Sequence, residues 1–284
     1  MELAQQAQTE KKSMYHIESA GLTDVGTKRK NNEDSLFLND EKQFYVVADG
    51  MGGHQAGEVA SSMVVETLWN YIKRFNGEEN DDVEELPDHD ESLSKEANRL
   101  LTGIHLANKS VFQASRKREN YRGMGSTVSS VYFTDTTLIA ANVGDSPIFL
   151  IHDGKIELLS VPHTVFAEQR AMDPENAKEL GHEFKHMLTR AMGVTKSVQA
   201  DVSELQCFKG DILVIGSDGL TEKITKEEIH EIVAKETPAK ACQKLVDLSN
   251  QRMGGDNVTV IVLKIINTKP SQGGFFKFLS KFFS

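Results

Sequence analysis

The feature that most constrains this chain is a short apolar run that stops at an aspartate and gives way to glycine. It appears first as Phe44–Ala48, followed by Asp49-Gly50-Met51-Gly52-Gly53-His54. A run this short, apolar throughout and bounded by polar or Gly-rich sequence, reads as a buried strand. The carboxylate then stands at the strand end, where a side chain can face a cleft. Glycine lets the backbone turn tightly and present a carbonyl. Taken singly, the stretch is equally an ordinary strand-to-helix turn with Asp as a cap. The pattern returns where Asp211–Ile215 leads into Gly216-Ser217-Asp218-Gly219, and in mirror order where Gly255-Asp256-Asn257 precedes Val258–Ile265. If these strand ends meet, their carboxylates make an acidic pocket that needs cations to stay ionised. A donor set of oxygens suits Mg²⁺ or Mn²⁺.

At 284 residues the chain is long enough to bury a sizeable core. Its net charge of −10 argues against a nucleic-acid binder held by phosphate contacts. It leaves phosphorylated substrates open, because bound cations reverse the local field. Cys207 and Cys242 are far apart and read as small buried hydrophobes. Met1–Lys12 has no apolar core of signal-peptide length, and no apolar run reaches the ~20 residues of a membrane span. The expectation is a cytoplasmic monomer.

Residues 1–13 read as a flexible N-terminus, 14–266 as one domain and 267–284 as a linker and tail. Strands are expected at Met14–Leu22 and Ser35–Leu38. Between them lies a polar turn containing Arg29, Glu33 and Asp34, where Arg29 offers a planar fork of donors to phosphate oxygens. Helical spacing of apolar residues predicts helices over Gly57–Phe75 and Ser94–Arg118, the second capped by Ser94. The acidic run Asn76–Glu91 between them reads as a solvated loop. Ser126–Phe133, Thr137–Val143, Ser146–Ile151 and Lys155–Leu159 read as an antiparallel meander, with Asp145 in a glycine-containing hairpin turn. Val161–His186 reads as an excursion carrying a short helix or two, and its histidines as surface residues. Asp201–Leu205 is a further strand, and helices follow over Lys226–Ala234 and Pro238–Arg252.

Two divalent ions ~4 Å apart would neutralise the pocket, lower the pKa of a shared water and stabilise displacement at phosphorus. No Cys-x5-Arg or GxSxG pattern offers a nucleophilic side chain instead. Seven blocks then carry a family resemblance: Thr23-Asp24-x-Gly26-x-x-Arg29-x-x-Asn32-Glu33-Asp34, Ala48-Asp49-Gly50-Met51-Gly52-Gly53-His54, Gly123-Met124-Gly125-Ser126-Thr127, Val143-Gly144-Asp145-Ser146, Leu188-Thr189-Arg190-Ala191-Met192-Gly193, Ser217-Asp218-Gly219-Leu220-Thr221 and Gly255-Asp256-Asn257. In this order they resemble the bacterial type of PPM (protein phosphatase 2C) metal-dependent serine/threonine protein phosphatases, over about Ser19–Lys264.

The resemblance implies an α+β fold, a four-layer αββα sandwich of two antiparallel sheets flanked by helices. It implies two core Mn²⁺ or Mg²⁺ ions and a weaker third. Asp49 would bridge the pair. Asp218 and Asp256 would complete one site, and the Gly50 carbonyl with Glu33 the other. Asp34 would stand in the water-mediated shell, Asp145 with Asp218 would hold the third ion, and Arg29 would bind phosphate. Val161–His186 falls where the family has its flap, making His163 and Thr164 candidate flap and substrate residues. Phosphoproteins would be the substrates, and a serine/threonine kinase the opposing enzyme. Pro147 stands where many members have Arg, and Pro162-His163-Thr164 where many have Asp-His-Ser. Met51 replaces the histidine proposed as leaving-group acid in eukaryotic members, which leaves a water or His54 for that step.

Beyond the linker, Phe275–Ser284 segregates phenylalanines and Leu279 from Lys277, Ser280, Lys281 and Ser284 on a helical wheel. That suits a peripheral contact with the inner membrane surface or with a partner, and equally packing on the chain's own domain. Two rival functions stay open at this point: a catalytically silent phosphoprotein-binding module, and a phosphatase of small molecules.

Overall fold

A computed structural model describes residues 15–52, 56–75, 90–134, 137–174, 181, 184 and 186–268. His54, most of the acidic run, residues 1–13 and the tail 275–284 lie outside the described residues. The strands are β1 (Tyr15–Asp24), β2 (Asp34–Asn39), β3 (Phe44–Met51), β4 (Gly125–Ser126), β5 (Val128–Phe133), β6 (Leu138–Val143), β7 (Ile148–His152), β8 (Lys155–Leu158), β9 (Asp201–Leu205), β10 (Ile212–Gly216) and β11 (Val258–Thr268). The helices are α1 (Ala56–Ile72), α2 (Lys95–Lys117), α3 (Val165–Met172), α4 (Asp218–Thr221), α5 (Lys226–Lys235) and α6 (Pro238–Gln251).

The strands form two antiparallel sheets. One runs β2-β3-β5-β6-β9, with β4 paired to the end of β3, and the other runs β1-β11-β10-β7-β8. Alternation along β3 explains the stacking, because successive side chains leave a strand on opposite faces. Phe44, Val46 and Ala48 pack with Val64 and Leu68 of α1 and Leu100 and Ile104 of α2. Tyr45 and Val47 face the other sheet and meet Leu213, Ile215, Ile261 and Leu263. On β11, Val258, Val260 and Val262 turn outward onto Ile229 and Val233 of α5 and Leu245 and Val246 of α6. Three apolar layers therefore separate four structural layers, the expected αββα sandwich. A strand buried on both faces reads as a continuous apolar run, which is why β3, β10 and β11 stand out in the sequence. Each fully buried side chain such as Leu213 contributes about 1.5–3 kcal/mol relative to exposure.

The helix ends follow local chemistry. Ser94 accepts a hydrogen bond from the Ala97 N–H at 3.1 Å and starts α2. Thr225 and Glu228 form a reciprocal capping box at α5.

The meander expectation needs correction. β6 pairs with β5 and β9, whereas β7 pairs with β10 and β8. The Gly144-Asp145 turn is therefore a crossover from one sheet to the other and not a hairpin. Gly144 sits at φ 102°, and a Cβ there would lie 2.6 Å from Thr127 Cγ2, so glycine is required on both counts. The expected strand Ser126–Phe133 breaks at Thr127, whose N–H turns to the Asp49 carbonyl at 2.8 Å. β11 runs to Thr268, opposite Tyr15, so Asn267 and Thr268 belong to the sheet and not to a linker. Among the described residues no helix is long and apolar enough to cross a membrane.

Candidate metal centre

The sheet ends that carry the acidic residues converge. Asp34 opens β2 and lies directly opposite Asp49 in the β2–β3 ladder. Asp218 follows β10 and Asp256 precedes β11, neighbouring strands of the other sheet. Asp145 arrives on the sheet-to-sheet crossover. These groups feel one another. Burial first, then Asp34, Asp218, Asp256 and Asp145 in turn, push the Asp49 carboxyl well above the usual carboxylate range. Asp34 is 8% exposed and is pushed up to about 7, mainly by burial, with Asp218 and Asp256 adding to the effect. Asp145 is likewise pushed up to about 7 by burial and then by Asp218.

Backbone and hydroxyl groups fix the set. Thr127 Oγ1 accepts the Asp49 N–H at 2.9 Å and lies 2.7 Å from Ser146 Oγ, while Ser126 Oγ donates to the Asp49 carbonyl at 3.0 Å. Thr259 Oγ1 donates to Asp34 at 2.7 Å. Asn257, 3% exposed, is a staple: its Oδ1 accepts the Glu33 N–H, and its Nδ2 donates to the Val25 and Asn31 carbonyls, each at 2.9 Å. The whole polar turn from Val25 to Glu33 is thus tied to the start of β11.

The Gly50 carbonyl and the Glu33 carboxyl meet over Gly57. A Cβ at Gly57 would lie 2.7 Å from Glu33 Cδ and 2.9 Å from the Gly50 oxygen. The absent side chain lets two oxygen donors share one space. Burial raises the Glu33 pKa, against the opposing pull of Arg29. Arg29 stands at the rim, its side chain 47% exposed, with Nη2 2.7 Å from Asp256 Oδ2.

The donor set fits divalent cations. It is all oxygen, it is too crowded to ionise fully without positive charge, and Asp218 Oδ1 is buried with no hydrogen-bond partner. An unpaired buried carboxylate oxygen is costly, and a cation satisfies it.

Two expectations on the flap are corrected. His163 is 1% exposed, so it is neither a surface histidine nor open to substrate. Its Nδ1 accepts the Gly144 N–H at 3.1 Å, which places the ring proton on Nε2, 2.5 Å from Asp201 Oδ2. Burial lowers its pKa, so the neutral ring persists. Its work is to hold the crossover that carries Asp145. Thr164 is 3% exposed and caps α3 by accepting the Ala167 N–H at 3.1 Å. Both side chains are spent on structure.

Sequence reasoning took His186 for a surface histidine and missed its place beside the acidic set: the side chain is 54% exposed, yet its Nδ1 stands 3.6 Å from Asp218 Oδ2. It also passed over the supporting hydroxyls Ser126, Thr127, Ser146 and Thr259, and the role of Asn257. A signal existed: Ser146, Ser217 and Asn257 each stand next to a predicted ligand.

Comparison with known proteins agrees with this geometry. The family pattern described as protein phosphatase 2C matches residues 27–248. A putative protein phosphatase 2C-type protein of Streptococcus pyogenes is 33% identical over 246 residues, covering 85% of this chain and 94% of that protein. The crystal structure of the Mycobacterium tuberculosis serine/threonine phosphatase PstP/Ppp superposes with a TM-score of 0.74 at 26% identity, covering 89% of this chain and 99% of that one. The catalytic domain of PstP in complex with two manganese ions also gives 0.74 at 26% identity, covering 88% and 99%. With its acidic residues gathered at one end of an αββα sandwich, this chain belongs to the protein phosphatase 2C family of metal-dependent protein phosphatases.

Proposed function

We propose that this cleft hydrolyses phosphoserine and phosphothreonine on proteins, with Asp49, Asp218, Asp256, Glu33 and the Gly50 carbonyl holding two Mn²⁺ or Mg²⁺ ions. The observation that carries this reading is the convergence of Asp34, Asp49, Asp145, Asp218 and Asp256, where burial first and the neighbouring carboxylates second push the Asp49 carboxyl well above its usual range. When bound, such ions lower the pKa of water and neutralise charge on a phosphoryl group.

The rest is done by side chains of the chain itself. Asp49, fixed at both its N–H and its carbonyl by Thr127 and Ser126, stands at the centre of the acidic set. Asp34, held by Thr259, offers a buried acceptor beside it and can orient water. Arg29 presents its guanidinium fork to phosphoryl oxygens when it leaves Asp256. Geometry of that planar kind suits phosphate better than a lysine would. Asp145, placed by the His163-anchored crossover, extends the acidic lining toward the flap side.

In this reading the enzyme opposes a serine/threonine kinase and works as a monomer. Segment 275–284, outside the described residues, is proposed as a peripheral membrane or partner contact. Deleting it should change the share of protein recovered with membranes on fractionation, and an unchanged share would count against the contact.

The test of function is hydrolysis of a phosphothreonine peptide with Mn²⁺, with Mg²⁺ and with chelator. Turnover should require the metal. Undiminished turnover in chelator would contradict the reading, and so would a peptide that binds with metal but is never hydrolysed.

A further inference from the structure

Asp145, His186 and Asp218 form a cluster outside the Asp34–Asp49–Asp256 core. Each offers one ligand atom, and these atoms all lie within 4.8 Å of one another. The His186 Nδ1 to Asp218 Oδ2 separation of 3.6 Å is too long for a hydrogen bond. It matches the spacing of roughly 3.4 Å between two ligands of a tetrahedral cation with bonds of ~2.1 Å. The other oxygen of Asp218 is buried and has no partner.

The position of His186 is anchored. Immediately after it, the Met187 carbonyl accepts the Val165 N–H at 2.9 Å, Leu188 bridges Thr164, and the Thr189 N–H reaches the His163 carbonyl at 2.9 Å. The segment bearing His186 is therefore pinned to the start of α3. Through His163 it is also pinned to the crossover that carries Asp145. Two of the three ligand positions thus share one support.

We propose that His186 is a direct ligand of a third cation held between Asp145 and Asp218, and that this makes the position favour Zn²⁺ or Mn²⁺ over Mg²⁺. The inference rests on the metal-dependent reading above and adds a nitrogen donor to its outer site. Imidazole prefers borderline cations, whereas Mg²⁺ keeps oxygen ligands and several waters. A side chain 54% exposed leaves room for water to complete the coordination.

The experiment is equilibrium dialysis of the full chain against Zn²⁺, Mn²⁺ and Mg²⁺ separately, comparing wild type with His186→Ala. Ring-¹⁵N NMR of the histidines during Zn²⁺ addition is the second readout. The wild type should take up a weaker third Zn²⁺ or Mn²⁺ beyond the core pair. His186→Ala should weaken that third event at least about tenfold and leave third-site Mg²⁺ and the core pair unchanged. The ring signal that vanishes in His186→Ala should shift as the third Zn²⁺ binds. Equal third-site Zn²⁺ affinity in both proteins, or an unmoved ring signal, would overturn the assignment and leave His186 as an ion-pair partner of Asp218. Failure of the underlying reading looks different: the wild type would then bind no core pair at all.

Discussion

The two flanks of the cleft are built differently. On one, Asp34, Asp49 and Asp256 sit on or beside strand ends, in paired strands held by Thr127, Thr259 and Asn257. On the other, Asp145 and His186 ride on a crossover and on the segment leading to Leu188, held by hydrogen bonds from His163, Thr127, Ser129 and the start of α3 and not by a strand ladder. Asp218 stands between them. Sheet ends give fixed positions because each residue is set by ladder bonds and by apolar layers on both faces. A crossover lies outside the ladders and is set by separate side-chain and loop hydrogen bonds. Chemistry that tolerates little displacement belongs on the first flank, and a position that can fill or empty belongs on the second.

The sharpest way to break this comparison is to damage the rigid flank at its centre. Asp49→Asn should cut phosphopeptide turnover on the order of 10³-fold or more, since it removes a charge that both ions would share. Steady-state kinetics at saturating Mn²⁺ measures it, and retention of most activity would move the chemistry elsewhere. Next in size is Asn257→Ala, which frees the Glu33 N–H and two carbonyls. Metal affinity should fall about 10–100-fold, read by Mn²⁺ titration, although Asn257 itself lies beside the ligands and is not among the proposed ones.

Protonation sharpens the contrast further. Asp34 and Asp145 have folded-state pKa values raised to about 7 from an ordinary 3.8. A carboxyl with a raised folded pKa keeps its proton longer in the fold. The contribution of these two carboxyls to the stability of the metal-free protein is therefore full below about pH 4 and is lost as pH climbs through about 7. Thermal melts in chelator across that window should show the fall. Asp34→Asn should flatten it, and added Mn²⁺ should reverse it. Stability that rose with pH in chelator would mean the carboxyls are not crowded as described. The smallest effect belongs far from the cleft: Ser94→Ala should cost about 1 kcal/mol in denaturant unfolding and leave turnover unchanged.

Much of the rigid flank was legible in the sequence because its physics is local. An apolar run with Asp at its end announces both a doubly buried strand and a carboxylate at its mouth, as at Phe44–Asp49. The crossover flank was not, because nothing near Asn142–Ser146 distinguishes a hairpin from a change of sheet. That choice is made by the partners β9 and β10, far along the chain. His163 was misread for a related reason. A histidine in a polar stretch looks exposed until Gly144 and Asp201, neither of them close in sequence, bury it. His186 read as one more surface histidine because its place in the site comes from Asp145 and Asp218, 41 and 32 positions away.

The central claim is that the gathered carboxylates exist to hold a pair of divalent ions around Asp49. The most direct measurement is anomalous diffraction from crystals of the full chain grown with Mn²⁺. Two strong peaks ~4 Å apart, both within coordinating reach of the Asp49 carboxylate, are predicted. A cleft with no peak at Asp49, in crystals of protein that hydrolyses the phosphopeptide, would contradict the account.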